Sequence, residues 1–227
     1  MWDPVWEKVF TTQPWGRYPG EDLIRFVARN FYNRPVRADT RFLEVGFGTG
    51  ANLWFLAREG FSSSGIEGSP AAAALARERL DKECPGWDKM APDNHIEIGD
   101  MVHLPWPDES FDALIDSEAV YCNDFDESRQ IYADMHRVAR PGARLFVRTF
   151  AKDSWGDGVG ELTGHRRYVA VSGPLAGKGM SRFTDRDELG ELLGNWRIDE
   201  VNLITRTWDA GGQTIREWIV EAHKDQA

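Results

Sequence analysis

The residues best placed to do chemistry lie in one stretch, Arg41-Phe42-Leu43-Glu44-Val45-Gly46-Phe47-Gly48-Thr49-Gly50. Phe42, Leu43 and Val45 form a short apolar run that stops at glycines, and Leu53, Leu56 and Ala57 then recur at helical spacing, so strand, tight turn and helix are expected in that order. Gly46, Gly48 and Gly50 let the backbone turn sharply and let a ligand approach it closely, beside the free N–H groups that open a helix. The spacing fits G-x-G-x-x-G/A, the dinucleotide pattern, and also E/D-x-G-x-G-x-G starting at Glu44. Glu44 separates the two, because a carboxylate at the strand end repels a pyrophosphate and attracts an ammonium group. A second carboxylate, Glu67, ends the next expected strand about 20 residues beyond Gly46, the spacing of an acid that grips ribose hydroxyls. Glu67 supports a nucleoside without choosing the cofactor, since an NAD enzyme would use it equally well.

With Glu44 leading its glycines, the corner resembles that of class I S-adenosylmethionine-dependent methyltransferases, whose cofactor has an amino acid end and no phosphate. Three further stretches carry the resemblance. His95-Ile96-Glu97-Ile98 reads as a short third strand ending in Gly99-Asp100-Met101. The run Leu104-Pro105-Trp106-Pro107-Asp108-Glu109-Ser110-Phe111-Asp112 is similar to the family's L-P-(F/W)-x-D-x-x-F-D entrance to the fourth strand. His136 to Val147 resembles its helix, Pro-Gly turn and fifth strand, with Ala143 where a second glycine is usual.

The resemblance implies an α/β fold: a Rossmann-like three-layer sandwich around a mostly parallel seven-stranded sheet, its antiparallel last strand in a terminal β-hairpin. It implies S-adenosylmethionine as cofactor and S-adenosylhomocysteine as product. By the same resemblance Glu67 clamps the ribose and Asp100 receives the adenine amine, with the Met101 N–H facing a ring nitrogen. Backbone atoms of Asp116 and Ser117 meet the methionine portion, and Tyr121 walls the acceptor pocket. Tyr18, Glu44, Gly46, Gly48, Gly50 and Gly68 complete the expected cofactor contacts. Methyl transfer by in-line displacement needs alignment and exclusion of water, and a base only where the acceptor must lose a proton.

The surrounding elements must position these groups. Residues 1–34 read as a helical N-terminal lid, similar to the one many small-molecule methyltransferases fold over the cofactor. Its helices are expected over 3–10 and from Glu21 to about Tyr32, around the turn Trp15-Gly16-Arg17-Tyr18-Pro19. Trp2, Trp6 and Trp15 are expected to pack the lid on the sheet, while Arg17 and Tyr18 need polar partners. Residues 41–151 form the cofactor-binding core. In it Ser69-Pro70 caps a helix to Leu80, the stretch Cys84 to Asn94 is a loop, and a helix runs from Glu127 to Ala139. Residues 152–183 are glycine-rich and irregular, a candidate substrate-side flexible lid. Residues 184–227 are expected to hold a helix to Leu193, capped by Thr184 and Asp187, then a hairpin of Trp196–Trp208 and Gln213–His223.

At 227 residues the chain fits a single domain. Its 37 acidic against 27 basic residues give a net charge of -10, which opposes nucleic acid and anionic membranes and favours a small-molecule acceptor. No apolar run is long enough to span a bilayer, and Met1-Trp2-Asp3-Pro4 lacks the features of a signal peptide, so a cytoplasmic protein, monomer or homodimer, is expected. Cys84 and Cys122 have no metal-like spacing, and no matching ligand cluster accompanies Asp116 and Glu118, so no metal is expected. Candidate bases are His165, Tyr168, Tyr121 and His103; candidate acceptor contacts are Arg17, Tyr121, His165 and Arg166. Two other readings stay open: a short Rossmann NAD-dependent oxidoreductase, and a nucleoside-binding protein without turnover.

Overall fold

A computed structural model of the chain describes residues 2–89 and 95–226. In chain order the main elements are α1 (Val5–Thr12), α2 (Glu21–Phe31), β1 (Arg41–Val45), α3 (Ala51–Arg58), β2 (Ser62–Glu67), α4 (Pro70–Glu83), β3 (Ile96–Ile98), β4 (Phe111–Ser117) and α5 (Phe125–Val138). They continue with β5 (Ala139–Phe150), β6 (Gly160–Gly164), β7 (Arg167–Ala170), β8 (Met180–Arg182), α6 (Leu189–Leu193), β9 (Arg197–Trp208) and β10 (Gln213–His223). Seven strands form one sheet in the order β3-β2-β1-β4-β5-β10-β9. The first five pair in parallel, and β10 runs antiparallel to both β5 and β9.

Alternation along the strands builds the two covering layers. Phe42, Ala113, Ile115 and Phe146 face α2 and α3, meeting Leu23, Phe26, Val27, Phe31 and Leu56. Leu43, Val45, Leu114, Leu145 and Val147 face the other way, onto Ile131, Tyr132, Met135 and Val138 of α5 and the leucines of α6. Helix α1 packs Trp6, Val9 and Phe10 against Ala72 of α4. The parallel strands, covered on both faces, therefore end together at one edge where connecting loops are free to hold a ligand.

Most expected elements are present with small shifts, and four differ for physical reasons. Helix α1 runs through Thr12, whose hydroxyl turns back to the Lys8 carbonyl. Helix α5 starts at Phe125 because the Asp124 carboxylate accepts the Glu127 N–H at 2.8 Å, placing the cap earlier. Pro141-Gly142 lies inside β5 as an irregularity, with the Gly142 N–H on the Lys224 carbonyl at 3.0 Å. The box before α6 is Asp185 with Glu188, because the Thr184 backbone already bonds Phe150. The insertion 152–183 is also more regular than its composition suggests: β6, β7 and β8 form a three-stranded antiparallel sheet. Of the loop expected from Cys84 to Asn94, residues 90–94 lie outside the described residues, while Trp87–Lys89 form a 3-10 turn.

Candidate functional site

A cavity of about 340 Å³ opens at the carboxyl ends of β1, β2 and β4 and is covered by the N-terminal segment and part of the insertion. Its floor is the glycine corner. Gly46 has φ 64°, and a Cβ there would stand 2.3 Å from the Ala119 Cβ, so both conformation and space demand glycine. Gly50 does not line the cavity; it lets α3 approach α4, where a Cβ would meet Ala76 at 2.7 Å.

The two strand-end carboxylates flank that corner, both buried and both lining the cavity. Glu44 accepts a 2.6 Å hydrogen bond from Asn52 on one oxygen, while the other, Oε2, has no partner among the described residues. Burial pushes this carboxyl up to about 8, with Asn52 opposing and the charges of Glu67 and Asp116 adding. A ligand ammonium would supply what Oε2 lacks. Glu67 is fixed from behind, accepting the Gly48 N–H at 2.8 Å and the Ser69 N–H at 2.9 Å. Burial raises its pKa while these backbone bonds and one from Gly68 lower it. A carboxylate so oriented keeps lone pairs for a pair of hydroxyls.

Beyond Glu67 the cavity is lined by Gly68, Asp100, Met101 and Trp2. Asp100 accepts the Val102 N–H at 3.1 Å on one oxygen and the Trp2 N–H at 3.1 Å on the other. The Trp2 indole lies against Gly68 so closely that a Cβ on Gly68 would be 1.9 Å from it.

The opposite end is lined by Ser117, Glu118, Tyr121, Arg148, Phe150, Lys178 and Arg206. Glu118 has φ 59°, a conformation uncommon for glutamate that turns its carboxylate to Arg148 Nε at 3.0 Å. Arg148 also holds Glu217 at 2.8 Å, which takes Arg206 at 2.9 Å. Burial and a hydrogen bond shared with Glu217 hold the Glu118 carboxyl well above the usual range. Tyr121 sets its ring edge-on to Phe150 at 5.2 Å, and burial first, then Cys122 and Glu118, hold its hydroxyl protonated.

The cavity thus gathers Tyr18, Glu44, Gly46, Gly48, Glu67, Gly68, Asp100, Met101, Ser117 and Tyr121 from the residues singled out in the sequence. It leaves out others. The Asp116 carboxylate is consumed beneath the site, accepting Ala119 and Val120 N–H groups at 3.0 and 3.1 Å and the Tyr132 hydroxyl at 2.5 Å. Arg17 lies over α4, paired with Glu83 at 2.7 Å. His165 and Arg166 turn to Glu188 and Asp185, Tyr168 packs on Phe183, and His103 is exposed, none of them lining the cavity. Arg148, Lys178 and Arg206 were not anticipated, and Glu118 was weighed only as a metal partner. The pattern Gly177-Lys178-Gly179 was the one local hint of a cation on a tight loop. Among the described residues no cluster of His, Cys, Asp and Glu could hold a metal ion, and no helix is long and apolar enough to cross a membrane.

Residues 43–147 match the protein family described as "Methyltransferase domain". A demethylmenaquinone methyltransferase of Tropheryma whipplei is 35% identical over 117 residues, covering 51% of this chain and 44% of that protein. The chain therefore spans less than half the length of that curated relative. Among solved structures, a SAM-dependent methyltransferase of Methanosarcina mazei superposes with a TM-score of 0.66 at 18% identity, over 92% of this chain and 100% of that one. The 1,6-didemethyltoxoflavin-N1-methyltransferase of Burkholderia thailandensis, solved with 1,6-didemethyltoxoflavin and S-adenosylhomocysteine bound, gives 0.61 at 17% identity, over 98% and 88%. Identities this low speak for the fold alone; the match over 43–147 speaks for a methyltransferase domain in that stretch. With that match spread over its five parallel strands, the chain carries a methyltransferase domain in a fold similar to that of the class I S-adenosylmethionine-dependent methyltransferases.

Proposed function

We propose that this chain moves a methyl group from S-adenosylmethionine to an oxygen or nitrogen of a small-molecule acceptor by direct in-line displacement. The observation that carries the reading is the Glu44 oxygen left buried and unpartnered beside Gly46, with Glu67 held ready across the corner. When bound, the cofactor supplies a methyl group on a sulfonium that leaves as a neutral thioether. Glu44 holds the ammonium end, Gly46 and Gly48 admit close approach of the chain behind it, and Glu67 accepts the ribose hydroxyls. Asp100 and Met101 receive the base, Ser117 borders the methionine portion, and Tyr18 closes the rim. Tyr121 and Phe150 give the acceptor a flat aromatic wall, and α1 and the insertion keep water out. Glu118 lines the acceptor end of the cavity and, in its ionised form, takes the role of proton acceptor where one is needed. His165, Tyr168 and His103 take no part.

Titration calorimetry with S-adenosylhomocysteine, on the wild type and on Glu67→Ala, tests the reading, with NAD as control. Binding that Glu67→Ala weakens roughly 10- to 100-fold, with NAD silent, is expected from loss of charge-assisted hydrogen bonds. Silence of the adenosyl ligand, or preference for NAD, would overturn it. The protein is further read as cytoplasmic and as a monomer or homodimer, which light scattering on the purified protein distinguishes.

A further inference from the structure

The geometry points to Lys178 as a carboxylate anchor, an ammonium ion carried by the insertion that docks an anionic carboxylate inside the cavity. This rests on the reading of the cavity as a methyl-transfer site.

Three cationic side chains line the cavity among the described residues: Arg148, Arg206 and Lys178. The two arginines are held by the Glu118 and Glu217 carboxyls, at 2.8 to 3.0 Å. Lys178 has no carboxylate partner among the described residues; its Nζ stands 4.9 Å from the centre of the Trp15 ring, whose face attracts a cation without neutralising it. In a chain of net charge -10, counter-charge for a lysine is plentiful on the surface, yet this one is turned inward and half-buried. Burial depresses its pKa, opposed by the charge of Glu118 and by Cys122, so the ammonium form is held at a cost that an arriving carboxylate would relieve.

The backbone fixes this placement. Lys178 sits between Gly177 and Gly179, at φ 74° and 78°, and its N–H closes a turn on the Leu175 carbonyl at 3.1 Å. Leu175 is buried with Tyr121 and Phe150, so the loop is anchored to the acceptor wall. On the far side Gly179 fits under Asp3, where a Cβ would be 2.4 Å from the carboxylate, so the loop meets the N-terminal segment across the mouth of the cavity. A compact ammonium on a flexible stem at such a seam suits a carboxylate arriving with the ligand.

A carboxylate can come from two sources, the amino acid end of the cofactor or an acidic group on the acceptor, and calorimetry separates them. One arm titrates S-adenosylhomocysteine and 5′-deoxy-5′-methylthioadenosine, which lacks the amino acid end, into wild type, Lys178→Met and Lys178→Arg. Lys178→Met keeps the stem against Trp15. If the cofactor supplies the carboxylate, Lys178→Met weakens S-adenosylhomocysteine about 10- to 100-fold and leaves methylthioadenosine unchanged, with Lys178→Arg restoring most of the loss. The second arm titrates benzoate and benzamide into protein saturated with S-adenosylhomocysteine. If the acceptor supplies it, benzoate binds the wild type better than benzamide, Lys178→Met removes that preference, and S-adenosylhomocysteine binding does not change. Unchanged S-adenosylhomocysteine together with no lysine-dependent preference for benzoate overturns the anchor. So does equal weakening of both nucleosides in Lys178→Met, which marks a structural lysine. A wild type that binds neither nucleoside refutes the reading of the whole cavity, a failure distinct from that of the lysine alone.

Discussion

Binding of S-adenosylhomocysteine should be tied to a proton on Glu44. The carboxyl is pushed up from 4.5 to about 8 by burial, and the groups facing it are Asn52 from α3, Glu67 at the end of β2 and Asp116 at the end of β4. Below pH 8 it is mostly neutral, whereas an ammonium ligand requires the carboxylate. The ionised fraction is then about a hundredth at pH 6, about a tenth at pH 7 and about half at pH 8. Apparent affinity for S-adenosylhomocysteine should therefore rise about tenfold from pH 6 to 7 and about fivefold from 7 to 8, and binding at pH 7 should release about one proton. Calorimetry in two buffers of different ionisation enthalpy measures both. Glu44→Gln should flatten the profile and lower the affinity reached at high pH, and methylthioadenosine should show no such profile. The empty protein carries the opposite sign. Between pH 4.5 and about 8 the folded state keeps a proton that the unfolded chain has lost, so stability falls as pH rises, by roughly 2 kcal/mol from pH 6 to 8, less in Glu44→Gln. An affinity for S-adenosylhomocysteine constant within about twofold from pH 6 to 8, with no proton release, would refute the reasoning.

Two further substitutions test the corner and its cover. Gly46→Ala combines a left-handed φ with a Cβ 2.3 Å from Ala119, and should cost about 1–3 kcal/mol, seen as a melting temperature lower by roughly 3–10 °C. Gly60→Ala, also at positive φ but with open space around the Cβ, should lose less in the same thermal melt. Trp2→Ala should tighten S-adenosylhomocysteine by up to about tenfold, because it clears the indole from Gly68 while keeping the backbone N–H that Asp100 accepts; weaker binding would make Trp2 a wall for the base.

The cofactor end was legible because its chemistry is local. Glu44 and the glycines are consecutive, Glu67 follows one helix later, and strand pairing brings Val45 beside Ile66, so pattern and place coincide. The Leu104-Pro105-Trp106-Pro107-Asp108 run was legible for another reason, visible only in the fold. Arg137 of α5 gathers it, donating to the carbonyls of Leu104 and Trp106 and to Asp108 at 2.8 to 3.0 Å. The titratable residues of the insertion misled. The turn between β6 and β7 passes through Arg166 at φ 47° and carries His165 and Arg166 outward to the acids before α6. Strands of three to five residues, broken by glycines, leave too short a period to reveal which side chains point inward.

The acceptor end could not be read in the same way, because no segment contains it. Arg148 and Glu217 meet only once β10 has paired antiparallel with β5, Glu118 joins them through a left-handed residue after β4, and Lys178 arrives from a loop anchored by Leu175. Each contact joins parts far apart in the chain, whereas the Glu44, Gly46 and Glu67 geometry closes within two strand ends. The consequence is a physical separation of tasks. The side chains of Arg148, Arg206, Glu217 and Lys178 come from elements that do not form the glycine corner, so the charge of the acceptor end can vary separately from the cofactor end. A substitution at Lys178 or Arg206 should accordingly leave methylthioadenosine binding intact, whereas one at Gly46 or Glu67 cannot.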